Sequence, residues 1–180
     1  MITLVLGGDR SGKSQFAERL ACEVSLKADD ERFYLACGVA CDEEMATRIA
    51  LHRKRRGDKF VTIEEPYDLA DALKKLPQSA KVVLIDCLTT WLGNLFYKYG
   101  AKTEFSEVKE FLQTLREINC GVIIVSSELG LGLVPLEEYS RLFRDSQGIL
   151  NQAVAELADE VFFVIAGQSL PVKSLAGGRV

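Results

Sequence analysis

The sequence predicts an α/β fold, a mostly parallel central sheet flanked by helices. Short apolar runs of strand length alternate with helix-length amphipathic stretches along all 180 residues. Several of the runs are nearly continuous in Val, Ile, Leu and Phe, as strands buried on both faces of a parallel sheet require. The chain is 48% hydrophobic and 27% charged, with no repeat, low-complexity segment or linker-like stretch. A single domain spanning residues 1–180 is therefore expected.

The strands fall at Ile2–Leu6, Phe33–Ala36, Val82–Ile85, Gly121–Val125 and Val161–Ala166, with a weaker one at Phe60–Ile63. An antiparallel edge strand around Leu170–Lys173 follows a turn at Gly167. Helices are expected at Lys13–Leu26, Asp42–Arg55, Tyr67–Leu76, Leu88–Tyr97, Phe105–Asn119 and Tyr139–Ala158. In the first of them, Phe16, Leu20 and Val24 repeat every four residues and mark its apolar face. The second opens on three acids and closes on bases, which complements the helix dipole at both ends. Two loops stand out: polar Lys98–Ser106, and the glycine-rich Ser126–Glu138 directly after a buried strand. Ligands of open α/β sheets bind beyond the carboxyl ends of strands. The second loop is thus either part of a site or a crossover that needs a flexible backbone.

The first strand runs into Gly7-Gly8-Asp9-Arg10-Ser11-Gly12-Lys13-Ser14, which matches G-x-x-x-x-G-K-[ST]. Glycines let the backbone curl until consecutive N–H groups point at one phosphate chain. Lys13 reaches the β- and γ-phosphates, and Ser14 offers a hydroxyl to Mg²⁺. The helix that follows directs its positive end at the same anion. A strand before the loop and an amphipathic helix after it are the context that separates a phosphate loop from a chance match. Asp86 ends the strand Val82–Ile85 and is the natural second metal ligand, held on the neighbouring strand. Its alternative role is to cap the helix that starts at Leu88.

Charge sets the remaining candidates. Twenty-six acidic residues outnumber 22 basic ones, for a net charge of −4. Yet Arg48, Arg53, Lys54, Arg55 and Arg56 lie within nine residues around His52, the one histidine of the chain. Without that stretch, 17 bases face 26 acids, a net of −9. On a continuous helix Arg48, Arg55 and Arg56 share the face of His52. The run is either a solvated basic helix end or a polyphosphate site around a nucleophile. In the second case neighbouring cations disfavour the imidazolium and leave a free lone pair. The same arginines would bind the phosphates under attack. A nucleic-acid surface is disfavoured by the acidic balance and the lack of interleaved aromatics. Cys22, Cys37, Cys41, Cys87 and Cys120 form no C-x-x-C pair and are odd in number, which fits buried reduced thiols in a cytoplasmic protein. The chain starts on an apolar strand rather than a signal peptide. No apolar run approaches the roughly 20 residues that span a bilayer.

These segments together resemble the bifunctional adenosylcobinamide kinase / adenosylcobinamide-phosphate guanylyltransferase family of cobalamin biosynthesis, over nearly the whole chain. The resemblance is carried by G-G-x-R-S-G-K-S at Gly7–Ser14, D-x-E-M-x-x-R-I-x-x-H at Asp42–His52 and Asp-Cys-Leu-Thr-Thr-Trp-Leu-x-Asn at Asp86–Asn94. It continues in S-x-E-x-G-x-G-x-V-P at Ser126–Pro135 and R-x-F-R-D-x-x-G-x-x-N-Q at Arg141–Gln152. The resemblance implies a P-loop NTPase-like, RecA-like fold. It implies two reactions: phosphorylation of adenosylcobinamide by ATP or GTP, and transfer of GMP from GTP, through a guanylylated histidine, to the resulting phosphate. That histidine falls on His52. The family's nucleotide contacts fall on Gly7–Ser14, on Ala36, Cys37 and Gly38, on Arg53, Lys54, Arg55 and Arg56, on Glu64 and on Asp86. A homotrimer is implied as well. The chain departs from the family where Arg56-Gly57-Asp58-Lys59-Phe60 replaces R-P-x-x-W, where Cys37 replaces Thr and where Ser127 replaces Asn.

Overall fold

The structure is a computed structural model that describes residues 1–24, 26–39 and 43–174. Within α2, the side chains of residues 44, 45, 48, 49, 52, 55 and 56 lie outside that description. Seven strands form one sheet: β1 (Ile2–Gly7), β2 (Glu31–Ala36), β3 (Val61–Glu64), β4 (Ala80–Asp86), β5 (Gly121–Ser127), β6 (Glu160–Ile165) and β7 (Gln168–Lys173). Their order is β3-β2-β4-β5-β1-β6-β7. Every neighbouring pair is parallel except β6 and β7. The antiparallel edge strand therefore lies where the turn at Gly167 predicts it.

Among the described residues the α-helices are α1 (Lys13–Glu23), α2 (Glu43–Arg56), α3 (Leu69–Lys74), α4 (Leu88–Tyr99), α5 (Ser106–Glu117) and α6 (Glu138–Leu157), with a 3-10 turn at Gly57–Lys59. Consecutive strand residues point to opposite faces. Leu4, Leu35, Val83 and Ile85 therefore pack with Trp91, Phe111, Leu150 and Val154 from α4, α5 and α6. Val5, Tyr34, Leu84 and Val125 pack on the other face with Ala17 and Ala21 of α1. The buried stripe of α1 is thus centred on Ala17 and Ala21, and Phe16 and Leu20 only flank it. Small residues there let α1 lie close to the sheet, and Phe16 reaches sideways to stack edge-on against Phe162 at 5.2 Å.

Two expectations shift. Asp86 ends β4, but β4 does not neighbour β1: β5 lies between them. The sequence order of strands gives no hint of this crossover. Among the described cysteines, Cys22, Cys37, Cys87 and Cys120 are free, but only Cys37 is fully buried. Cys41 lies outside the described residues. No described helix is long and apolar enough to cross a membrane.

Register brings the carboxyl ends of the strands into one line. Ala36 pairs with both Glu64 and Asp86, Asp86 with Val125, and Gly7 with Ser127 and Val164. The phosphate loop, Asp86, Glu64 and the start of the Ser126–Glu138 loop thus share one edge. A cavity of ≈ 550 Å³ opens at the opposite end of the sheet, lined by Met1, Thr3, Lys81 and Glu160 among others, away from these residues.

Candidate functional site

The phosphate loop is held from two sides by backbone contacts. Arg10 and Gly12 both have positive φ, 53° and 97°, and Gly12 starts α1 with its carbonyl accepting from the Phe16 N–H at 3.0 Å. No side chain caps that helix end. Alternating handedness of this kind turns N–H groups inward and makes a concave anion site. The Gly7 carbonyl accepts from Glu128 N–H at 3.1 Å, and the Ser11 carbonyl from Gly167 N–H at 2.8 Å. Gly7 is required by close packing: a Cβ there would lie 2.5 Å from the Val164 carbonyl oxygen and 2.6 Å from Ser11 Oγ. Lys13 is 9% exposed and folds back to donate from Nζ to the Gly8 carbonyl at 3.0 Å. Gly8, Asp9 and Ser14 complete the loop at its solvent side. Ser11 Oγ is buried and has no hydrogen-bond partner among the described residues.

Asp86 is not a helix cap. The N-cap of α4 is Cys87, with no capping side-chain bond. Asp86 Oδ2 instead accepts from the Tyr34 hydroxyl at 2.7 Å, and Tyr34 stacks edge-to-face on Phe60 at 5.9 Å. Phe60, where the family has Trp, is therefore a buried support behind Asp86 rather than a ring open to a ligand. Burial pushes the Cys87 thiol up, with the Asp86 charge acting in the same direction and Thr90 and Lys13 opposing it. Lys13 and Asp86 thus both act on one side chain, although an entire strand separates β1 from β4. The Cys37 thiol is raised well above its ordinary value, first by burial and then by Cys87, Asp86 and Glu65.

The residues after β2 are fixed by a side chain that the motifs alone did not assign. Asn94 Nδ2 donates to the carbonyls of Cys37, at 2.8 Å, and Pro66, at 3.0 Å, joining the loops that leave β2 and β3. Trp91, fully buried, donates from Nε1 to the Tyr67 carbonyl at 2.7 Å and stacks against Phe111. Thr89 Oγ1 accepts from Ser127 N–H at 2.8 Å. The Thr-x-Trp-x-x-Asn spacing of Thr89, Trp91 and Asn94 was the available signal. Its meaning is positional: α4 binds the ends of β2, β3 and β5 to one another.

Arg53, on α2, forms an ion pair with Glu64 at the end of β3, so two separately expected nucleotide contacts meet. Ala36 and Gly38 sit beside Cys37 in the β2 exit, where the Ala36 carbonyl accepts from Glu65 N–H at 3.0 Å. Every described side chain of α2, Lys54 included, is exposed. The helix runs unbroken from Glu43 to Arg56, so the spacing of Arg48, His52, Arg55 and Arg56 is helical. Their side chains, like Asp42, lie outside the described residues. Among those residues no group of three or more His, Cys, Asp or Glu side chains could hold a metal by itself.

A parallel sheet with a phosphate loop after its first strand, and one strand between that loop and the acid-bearing strand, is the P-loop NTPase-like fold in its RecA-like form. Flagellar accessory protein FlaH from Methanocaldococcus jannaschii shares it, with a TM-score of 0.52 at 11% identity over 96% of this chain and 78% of that one. The family described as cobinamide kinase / cobinamide phosphate guanyltransferase matches residues 3–172, and the chain belongs to it. It is similar to the bifunctional adenosylcobalamin biosynthesis protein CobP of Pseudomonas aeruginosa, 44% identical over 96% of this chain and 98% of the relative. CobU of Escherichia coli is 32% identical over 96% of this chain and all of its own length.

Proposed function

We propose that one unit spanning residues 1–180 carries out both reactions of the family in the cytoplasm. It phosphorylates adenosylcobinamide with ATP or GTP, then transfers GMP from GTP through His52 to give adenosylcobinamide-GDP. The observation that carries this reading is the shape of the Gly7–Ser14 loop, with its left-handed residues, its uncapped helix end and the unpartnered Ser11 hydroxyl. The left-handed residues curve the backbone around an anion, and the helix end and the hydroxyl are a dipole and a donor that a polyphosphate satisfies.

In the kinase step Lys13 and the loop N–H groups hold the triphosphate, and the acceptor hydroxyl oxygen attacks the γ-phosphorus as its bond to the β,γ-bridging oxygen breaks, releasing the nucleoside diphosphate and the hydroxyl proton. In the guanylyl step a ring nitrogen of His52 attacks the α-phosphorus of GTP and pyrophosphate leaves. An oxygen of adenosylcobinamide phosphate then displaces the histidine from the same phosphorus. Covalent catalysis divides one transfer into two displacements, and the N–P bond is labile enough for the second. Arg53, Lys54, Arg55 and Arg56, with Glu64 and the Ala36–Gly38 exit of β2, are assigned to the nucleotide of this step.

Ser14 and Asp86 are assigned to Mg²⁺. A hydroxyl and a carboxylate are hard oxygen donors, and Mg²⁺ bound to phosphates needs only one or two from the protein. The ion would neutralise phosphate charge as it is transferred. The chain is assigned to a homo-oligomer, a trimer by family resemblance. In support, α2 carries Leu51 62% exposed, and its other described side chains lack cover in one chain as well.

The test is intact-mass spectrometry after incubation with GTP and Mg²⁺. One GMP per chain, acid-labile and base-stable, is expected, and it should vanish in His52→Ala. An adduct that survives this substitution removes His52 as the nucleophile.

A further inference from the structure

The segment that follows β5 is a shaped surface. Arg141, Arg144, Gln147 and Asn151 recur along α6 at spacings of three, three and four, which places them on one helix face. All four bind the Ser126–Leu136 segment. Asn151 Nδ2 donates to the Ser127 carbonyl at 3.0 Å, and Gln147 Nε2 to Ser126 Oγ at 2.9 Å. Ser126 Oγ in turn donates to Asn151 Oδ1 at 2.6 Å. Arg144 donates to the carbonyls of Leu133 at 3.0 Å and Gly130 at 3.2 Å. Arg141 donates to those of Pro135, at 3.1 Å, and Leu136. The Glu128 carboxylate is occupied by the Gly130 N–H.

While α6 binds these carbonyls, the loop presents hydrocarbon to solvent. Leu133 and Leu136 are 97% and 98% exposed, and Leu131 and Val134 follow at 80% and 66%. Four such side chains within six residues form a patch of the kind that meets a ligand or partner. The segment that carries the patch is joined to the phosphate loop, because the N–H of Glu128, three residues before Leu131, donates to the Gly7 carbonyl at 3.1 Å. Whatever accepts a phosphoryl group from a nucleotide on that loop must lie at this edge of the sheet.

We infer that the Leu131–Leu136 platform binds the corrin ring of the acceptor. Arg141, Arg144, Gln147 and Asn151 act as positioning residues that hold it beside the phosphate loop. This inference rests on the function proposed above, and the chemistry selects the occupant. A corrinoid is a broad macrocycle whose rim carries methyl groups beside its amide side chains, and its phosphate-accepting hydroxyl hangs on a side chain long enough to reach over the rim. A nucleotide is smaller and already has a polar site.

The experiment is equilibrium dialysis of adenosylcobinamide against the full-length protein, which needs no turnover, with GMP-adduct yield and oligomeric mass measured on the same samples. The Leu131→Ser/Leu133→Ser variant changes only exposed side chains. It should bind adenosylcobinamide about tenfold or more weakly, the scale set by small changes in apolar contact, with adduct yield unchanged. Arg144→Ala should weaken corrinoid binding in the same direction while also leaving the adduct intact. Unchanged corrinoid affinity in the leucine variant overturns the platform. A change of oligomeric mass with unchanged affinity does so as well, and identifies the patch as a contact between copies of the chain. Wild-type protein that forms the adduct yet binds no corrinoid also overturns it, without touching His52. A wild-type chain that forms no adduct and binds no corrinoid overturns the proposed function itself.

Discussion

The phosphate loop and helix α2 carry the two halves of the proposed chemistry, and they are built in opposite ways. The loop is embedded: β1 lies between β5 and β6, Gly7 has no room for a Cβ, and backbone bonds from Glu128 and Gly167 fix its carbonyls. Helix α2 crosses from β2 to edge strand β3 with every described side chain exposed, and Arg53 ties it to Glu64. A site that must hold one anion in one geometry is served by rigid backbone. The residue proposed to receive a group and hand it on lies on a helix whose described side chains face solvent. The difference teaches that equal prominence as sequence motifs does not mean equal structural constraint.

The comparison can be broken at either end. The largest effect is expected from Lys13→Ala. Losing one preorganised cation at a transferring phosphate should lower kcat/KM by about 10²–10³-fold, with the circular dichroism spectrum unchanged. Wild-type turnover would detach the loop from the chemistry. Next, Gly7→Ala forces a methyl group against the Val164 carbonyl and should destabilise the fold by about 1–3 kcal/mol in urea unfolding. An unaffected midpoint would mean the loop is less tightly embedded than its contacts indicate.

Arg53→Ala probes the other region. The ion pair with Glu64 is more than half exposed, so stability should change by only about 0–1 kcal/mol, while the yield of GMP adduct should fall. A stability loss as large as that of Gly7→Ala would erase the contrast. The smallest effect concerns Cys37, at the exit of β2 that leads to α2. Its thiol is raised by burial and neighbouring negative charge, so less thiolate exists at a given pH than in a free cysteine. Native-state alkylation of Cys37 should therefore lag behind that of Cys22 and accelerate only at higher pH, read by peptide mass spectrometry. Equal rates near pH 8 would mean that the β2 exit opens readily.

Residues that bind one another across the sheet were the least legible. Asp86 could be recognised as a strand-terminal acid, but its partner Tyr34 and the buried Phe60 behind it could not. Asn94 and Trp91 stood in a recognisable stretch without a visible task, because their acceptors, Cys37, Pro66 and Tyr67, lie 24 to 57 positions away. The Ser126–Glu138 loop was legible as glycine-rich. Only the contacts from α6 distinguish a shaped platform from a slack crossover.

What the sequence determined by itself is local: the alternation of strands and helices, the glycine–lysine–serine loop between β1 and α1, and the basic run around the one histidine. Each depends on neighbours within a few residues, where periodicity, φ preference and charge spacing act directly. The tertiary structure alone decided that β5 separates the phosphate loop from Asp86. It also decided that Arg53 meets Glu64, and that α4 and α6 bind the strand ends into one edge. Strand order and side-chain partnership are chosen by how buried faces pack, and packing compares segments far apart in the chain.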